Sequence, residues 1–142
     1  MLVIKKVYAY ITNHDRLLVF RHVDNPEAGI QVPGGSVEEG EAVMTAVVRE
    51  VREETGLKEI TLVEKLGVSE YDLARIGVDG IHERHYFHFH VDDYPGERWI
   101  AFEETPSDGS PGPIKFEFFW ADLQSVPPLL ADMDEMISKI RH

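Results

Sequence analysis

The amino-acid sequence predicts one domain of the α+β or α/β sandwich class. Segments rich in β-branched and aromatic residues come first, one helical segment follows, and further strand-like segments lead to a final helical segment. This order is typical of a sheet that packs against helices. The chain has 142 residues, the length of one ordinary domain, so we expect residues 1–142 to form a single domain.

The composition excludes several function classes. No cysteine is present, which rules out disulfides, cysteine-ligated zinc and thiol catalysis. The formal net charge of −12 disfavours groove binding of duplex nucleic acid, whereas a small phosphorylated substrate remains compatible if a divalent cation inverts the local field. Because no signal peptide and no apolar membrane span is visible, we expect a cytoplasmic protein without membrane contact. A monomer and a homodimer are both compatible with the sequence.

Strand-like segments alternate with turns and loops rich in Gly, Pro, Asn and Asp along most of the chain. The predicted strands are residues 2–12, 17–22, 30–32, 60–76, 84–92, 98–103 and 115–121, and the predicted turns and loops are residues 13–16, 24–29 and 104–114. Within residues 86–91, apolar side chains at the odd positions alternate with Tyr86, His88 and His90. This period of two predicts that these three residues share the second face of a strand.

Two helices are predicted. The first spans residues 41–55 and ends at Gly56, a residue type that favours the left-handed backbone after a helix. Its apolar positions form a stripe that we expect to be buried, and they are Met44, Val47, Val48 and Val51. The second helix is expected at residues 129–140, directly after two prolines.

Three carboxylates lie close together on the first helix. Glu50, Glu53 and Glu54 are spaced i, i+3 and i+4, so they share one face near the negative end of the helix dipole. Two interpretations follow. The residues are a solvated, charged surface, or the repulsion is offset by a hard divalent cation, with Arg49 holding a carboxylate in position.

The residues around this helix carry a recognisable signature. Gly35, Glu41 and the run from Arg49 to Leu57 resemble the signature of the Nudix hydrolase family. That pattern is Gly, five residues, Glu, seven residues, then Arg-Glu-apolar-any-Glu-Glu-any-Gly-apolar, and every fixed position matches across residues 35–57. The resemblance implies a mixed β-sheet between helices. It also implies hydrolysis of a pyrophosphate bond in a nucleoside diphosphate linked to another moiety, as in a nucleoside triphosphate, a dinucleoside polyphosphate or a nucleotide sugar.

The resemblance also assigns roles to single residues. Glu53 or Glu54 would orient or deprotonate the attacking water, Arg49 would orient a neighbouring carboxylate, and Glu41 would be a supporting acid. The implied metal ligands are Gly35 (through its carbonyl), Glu50, Glu53 and Glu54. Oxygen ligands without cysteine favour Mg²⁺, with Mn²⁺ as a substitute, over zinc.

Outside the signature, five further residues are candidates for the site. Glu117 lies three residues before a tryptophan and would supplement the metal site or the base, or it is an ordinary exposed strand residue. Arg21 would contact phosphate, as would Arg84, unless each is a surface charge. Tyr86 and His88 would face the substrate and stack on a base, unless they only form hydrogen bonds with their neighbours.

Two other classes of function compete with the hydrolase. A non-catalytic nucleotide-binding module would keep the fold, although the intact acids of the helix argue against it. A structural calcium or zinc protein would use those acids or the histidines at positions 82, 85, 88 and 90. Because only His88 and His90 share a face of the predicted strand, a zinc site there would need a further ligand from elsewhere.

Overall fold

The computed structural model describes residues 1–103 and 113–141. The strands are β1 (Leu2–Asn13), β2 (Arg16–His22), β3 (Gly34–Ser36), β4 (Thr61–Asp72), β5 (Gly80–His90), β6 (Arg98–Glu103) and β7 (Ile114–Asp122). The helix α1 spans Val43–Thr55, and 3₁₀ turns lie at Pro26–Ala28, Leu73–Ile76, Leu130–Asp132 and Ile137–Lys139. None of the helices in these two ranges is long and apolar enough to span a membrane.

The seven strands form one mixed sheet, as predicted. The order is β4-β5-β1-β2-β7-β6, and β3 pairs with β1 off this path. The long pair of β1 with β5 is parallel, and the other neighbouring strands are antiparallel. This arrangement agrees with the predicted α+β class.

An opening between β1 and β2 positions the candidate site. These two strands pair beside their connecting turn, where Thr12 lies opposite Leu17, and they diverge from there. The segment of residues 31–36 enters the gap: Gln31 bridges to Phe20 of β2, and β3 pairs with residues 6–8 of β1. Two consecutive glycines of β3 are thereby placed at the mouth of the opening.

Helix α1 covers one face of the sheet. Its residues Val47 and Val51 are fully buried against a layer of alternating strand residues that includes Phe87 and Phe89, which confirms the predicted inner stripe at these positions. Met44, in the first turn, is 37% exposed. The helix ends where predicted, because Gly56 adopts φ +76 and its N–H bonds to the carbonyl of Arg52.

The predicted second helix at residues 129–140 is wrong. The segment consists of 3₁₀ turns, with Ala131 and Asp132 both at positive φ. Backbone carbonyls that a helix would use are bonded elsewhere: that of Ala131 accepts from Arg84, and that of Met133 accepts from the hydroxyl of Tyr10. The apolar residues of the segment still cover the second face of the sheet, and they are Leu129, Met133, Met136 and Ile140.

Several predicted boundaries also shift. The expected strand at residues 30–32 is reduced to the bridge at Gln31, and the regular strand follows at Gly34–Ser36. The segment 60–76 is a strand up to Asp72 and then a 3₁₀ turn, while β5 begins at Gly80, four residues before its predicted start. Helix α1 begins at Val43 rather than at residue 41. Of the loop expected at 104–114, residues 104–112 lie outside the described residues, and Ile114 already belongs to β7.

The backbone of Ala131 leads to a stability prediction. At φ +50 and ψ +43 an L-residue is strained by roughly 1–2 kcal/mol, a strain that glycine does not have. Glycine also increases the entropy of the unfolded chain, which offsets part of this gain. We therefore expect Ala131→Gly to raise the free energy of unfolding by about 0.5–1 kcal/mol, as measured by urea denaturation. Ala74→Gly is the matched control, because Ala74 is exposed inside the 3₁₀ turn Leu73–Ile76 without a positive φ and should lose stability. A loss in both variants would contradict the assigned backbone of residue 131.

Candidate active site

A cavity of about 580 Å³ lies at the opening between β1 and β2. Its volume falls in the range of small-molecule sites. The part near α1 is lined by the two glycines of β3 and by charged side chains, namely Lys6, Glu50, Glu54 and Glu103. Two of the three helix carboxylates singled out in the sequence therefore face one cavity.

The glycines of β3 touch the helix acids directly. A Cβ added to Gly35 would lie 2.3 Å from Cδ of Glu50, so residue 35 has no room for a side chain while Glu50 keeps its position. The N–H of Gly34 donates a hydrogen bond of 2.8 Å to Oε1 of Glu54. These contacts bring the predicted ligands Gly35, Glu50 and Glu54 together.

Arg49 organises the other acids of the signature. Its guanidinium donates to Glu41 at 2.8 and 2.9 Å, to Glu50 at 2.8 Å and to Glu53 at 3.4 Å. It also bonds to the carbonyl of Ser36, which ties the helix to β3. The bond from Arg49 and then the N–H of Glu38 lower the pKa of Glu41 to about 2. Arg49 thus lies within bonding distance of three acids of the signature.

The acids differ strongly in their surroundings. Burial raises the pKa of the Glu50 carboxyl, although the bond from Arg49 opposes this. Glu54 is 6% exposed, and burial followed by repulsion from Glu50 raises its pKa well above the ordinary value. The side chain of Glu53, by contrast, is 60% exposed and lies at the outer edge. Glu50 and Glu54 are thus the desolvated pair of the site.

The donor set fits a hard divalent cation. Buried carboxylates of like charge and a nearby backbone carbonyl are the oxygen ligands that Mg²⁺ and Mn²⁺ accept. Within residues 1–103 and 113–141, no three His, Cys, Asp or Glu side chains converge as a ready metal site. The structure therefore presents two inward-facing acids beside Gly35, with Glu53 farther out.

A sequence model places this arrangement in a known family. The model of the NUDIX domain matches residues 4–140, nearly the whole chain. The chain belongs to the Nudix family. The family and the predicted enzyme class, a Nudix-type hydrolase, are thereby confirmed.

Two curated relatives and one solved structure agree with this membership. An RNA pyrophosphohydrolase of Agrobacterium fabrum is 30% identical over 133 residues, covering 79% of this chain and 71% of that protein. A protein of the same name from Pelagibacter ubique is 25% identical over 123 residues, covering 86% of this chain and 77% of that protein. A MutT NUDIX hydrolase from Burkholderia pseudomallei shares the fold with a TM-score of 0.64 at 24% identity, covering 99% of this chain and all of that one.

The Nudix sequence pattern did not reveal Glu103. This residue ends β6 and lines the cavity, and its charge contributes to the raised pKa values of Glu50 and Glu54. The strand itself was predicted, but its place at the edge of the sheet depends on long-range pairing with β7. Local sequence carries no signal for that pairing.

The structure does not bring the other candidates into the described part of the cavity wall. Glu117 lies on β7 opposite Arg21, and the two form an ion pair of 2.8 Å. Tyr86 is fully buried and donates from its hydroxyl to Glu135. His88 is 4% exposed and bonds through Nε2 to the hydroxyl of Thr12 at 2.8 Å. The polar face of β5 was predicted correctly, but the C-terminal segment covers its middle part.

The four histidines also remain apart from one another. Because β5 begins at Gly80, His82 lies on the same face as His88 and His90, which corrects the predicted face assignment. His85 bonds to Glu83 and Lys65 on the other face, and His90 bonds to Asp92.

The buried state of Glu54 predicts a pH effect on stability. Its folded pKa lies above the ordinary 4.5, so the stability linked to this carboxyl is full below pH 4.5 and is lost as the pH rises through the folded value. In chelator, we expect Glu54→Gln to gain stability relative to the parent as the pH is raised from 4.5 to about 8, because Gln keeps the Gly34 bond without the charge. Urea denaturation across this range measures the difference. Glu53→Gln is the control, because the side chain of Glu53 is 60% exposed, and equal behaviour of the two variants would contradict the burial of Glu54.

Proposed function

We propose that this chain hydrolyses the pyrophosphate bond of nucleotide-type substrates with Mg²⁺ held at Glu50 and Glu54. The observation that carries the proposal is the pair of desolvated carboxylates facing Gly34 and Gly35 in one cavity. The family membership and the two relatives named as RNA pyrophosphohydrolases support the reaction class.

The residues of the cavity would have different roles in holding the metal. Glu50 and Glu54, together with the carbonyl of Gly35, would hold the metal, and Glu53 and Glu103 would supply further oxygens at its outer side. Arg49 keeps Glu50 in place through a bond of 2.8 Å. When bound, Mg²⁺ supplies neutralisation of the phosphate charge and a lowered pKa of bound water.

Glu54 is the best-placed proton acceptor. Hydrolysis needs a group that takes a proton from water as the new bond to phosphorus forms and the bridging oxygen leaves. Glu54 lines the cavity, so its carboxylate can accept this proton. The N–H of Gly34 donates to Oε1 of Glu54 and thereby orients the other carboxylate oxygen, Oε2.

A second part of the cavity wall carries aromatic rings. Phe20 and Phe116 lie there with ring centroids 4.7 Å apart, and His22 approaches Phe116 edge-on at 5.0 Å. The side chain of Gln31 adds an amide to the same wall. We assign contact with a nucleobase to the half-buried His22 and Gln31 of this wall, because Phe20 and Phe116 are as buried as Tyr86 and His88.

A substrate panel tests the proposal. Nucleoside triphosphates, dinucleoside polyphosphates, nucleotide sugars, ADP-ribose and a 5′-triphosphorylated single-stranded oligonucleotide are incubated with the protein and Mg²⁺, and the products are identified by mass. Cleavage of a phosphoanhydride bond in at least one class is expected. Cleavage that persists in excess chelator, or no cleavage of any class, would refute the proposal.

The helix acids yield a prediction on turnover. We expect Glu54→Gln to lower kcat by roughly 10²-fold or more, because it removes both a metal ligand and the proton acceptor. Glu53→Gln should lower kcat less, since that carboxylate lies at the exposed edge. Glu39→Gln, an exposed acid of the preceding loop, is the matched control. Full activity of Glu54→Gln in Mg²⁺ would contradict the assigned role.

Glu117 yields a second prediction on turnover. Its carboxylate is paired with Arg21 and, at 3.4 Å, with Arg98 on the neighbouring strand. Because Glu117 does not line the described part of the cavity, Glu117→Gln should lower kcat by about threefold at most. Steady-state kinetics beside Glu54→Gln measure this. A loss as large as that of Glu54→Gln would place the main base on β7.

A further inference from the structure

Two cations face each other on the sheet beside the cavity. Lys6 of β1 is the register partner of Arg84 of β5, and the parallel pairing directs both side chains to the face opposite α1. Like charges directly opposite each other destabilise a sheet. His82 lies on the same face, two residues before Arg84. We call Lys6, His82 and Arg84 the basic cluster.

The basic cluster is incompletely bonded. Arg84 is 1% exposed, stacks 4.1 Å from the ring centroid of Tyr71, and donates from Nη1 to Ala131 and, at 3.3 Å, to Glu135. Within residues 1–103 and 113–141, three buried atoms of this patch have no hydrogen-bond partner: Nε of Arg84, Nδ1 of His82 and Oγ of Ser69. Ser69 is the register partner of Arg84 on β4. Buried polar groups of this kind carry a free-energy penalty.

Lys6 connects the basic cluster to the cavity. Its side chain lines the cavity wall and bonds at 3.1 Å to the neutral hydroxyl of Ser36. Tyr8, the next residue on this face, also lines the cavity, and the guanidinium of Arg84 lies 5.5 Å from its ring centroid. The charge of Lys6 also acts on Glu50 and Glu54, so Lys6 lies between the helix acids and the rest of the cluster.

We propose that Lys6, supported by the positive charge of Arg84, binds a phosphate group adjacent to the diphosphate that is cleaved. The inference rests on the proposed function and deepens it: the chain would favour substrates with three or more consecutive phosphates over nucleotide sugars. Lys6 is the contacting residue, and Arg84 is a positioning residue that raises the local positive potential. A bound phosphate would also relieve the repulsion between Lys6 and Arg84.

Binding of an inorganic polyphosphate tests the basic cluster without catalysis. Metal-free protein is titrated calorimetrically with inorganic tripolyphosphate, and Lys6→Gln is compared with Lys5→Gln, which removes the same charge from an exposed neighbour on the other face. We expect Lys6→Gln to weaken binding about tenfold or more and Lys5→Gln by about twofold at most. Equal effects of the two variants, or no binding to the parent, would overturn the proposal.

Two further variants, Lys6→Arg and Arg84→Met, extend the binding experiment. Lys6→Arg should retain tripolyphosphate binding, because the charge is kept. Arg84→Met should weaken binding if it folds, and the Lys6 variants remain decisive if it does not. A Lys6→Gln protein that binds Mg²⁺ more tightly but keeps tripolyphosphate binding would overturn the proposal, since Lys6 would then only balance the charge of the helix acids.

Kinetics separate this inference from the proposed function. Lys6→Gln should raise KM for a nucleoside triphosphate about tenfold while leaving KM for a nucleotide sugar within about twofold. Equal changes for both substrates would overturn the phosphate assignment. If no substrate is hydrolysed, the proposed function fails, and the calorimetric result still decides whether the basic cluster binds phosphate.

Discussion

The contact between β3 and the inward-facing acids of α1 is the constraint on which the candidate site depends. Gly35 approaches Glu50 so closely that a Cβ has no space, and Gly34 donates its N–H to Glu54. Both contacts exist because β1 and β2 diverge and admit the segment of residues 31–36 into the gap. A side chain at position 35 would displace Glu50. The position of the helix acids therefore depends on the glycines of β3 and on the opening that admits them.

The acids of the site accept hydrogen bonds from different donors. Arg49 bonds to Glu41, Glu50 and Glu53, while the bond to Glu54 comes from a backbone N–H. A desolvated carboxylate is costly unless it is paired, protonated or bound to a metal. The raised pKa of Glu54 reflects this cost in the protein without a bound metal. A bound cation would remove the cost, so metal binding and folding stability are coupled at this residue.

Short-range patterns in the sequence predicted what depends on neighbouring residues. The spacing from Gly35 to Leu57 identified the helix and its acids, Gly56 marked the end of α1, and the period of two on β5 separated its two faces. Long-range pairing decided the rest. Glu103 reaches the cavity through the pairing of β6 with β7, and His88 is buried through its contact with Thr12 of β1, 76 residues away.

The C-terminal segment shows how tertiary bonds override a helical pattern. Its apolar residues have the spacing of a helix and are buried as a helix would bury them. Its backbone carbonyls, however, accept hydrogen bonds from side chains of the sheet: that of Met133 from Tyr10, and that of Ala131 from Arg84. Met133 then lines the cavity. The segment that buries Tyr86 therefore also builds a wall of the candidate site. The polar face of the sheet is divided as a result, with Tyr86 under the segment and Lys6 at the cavity.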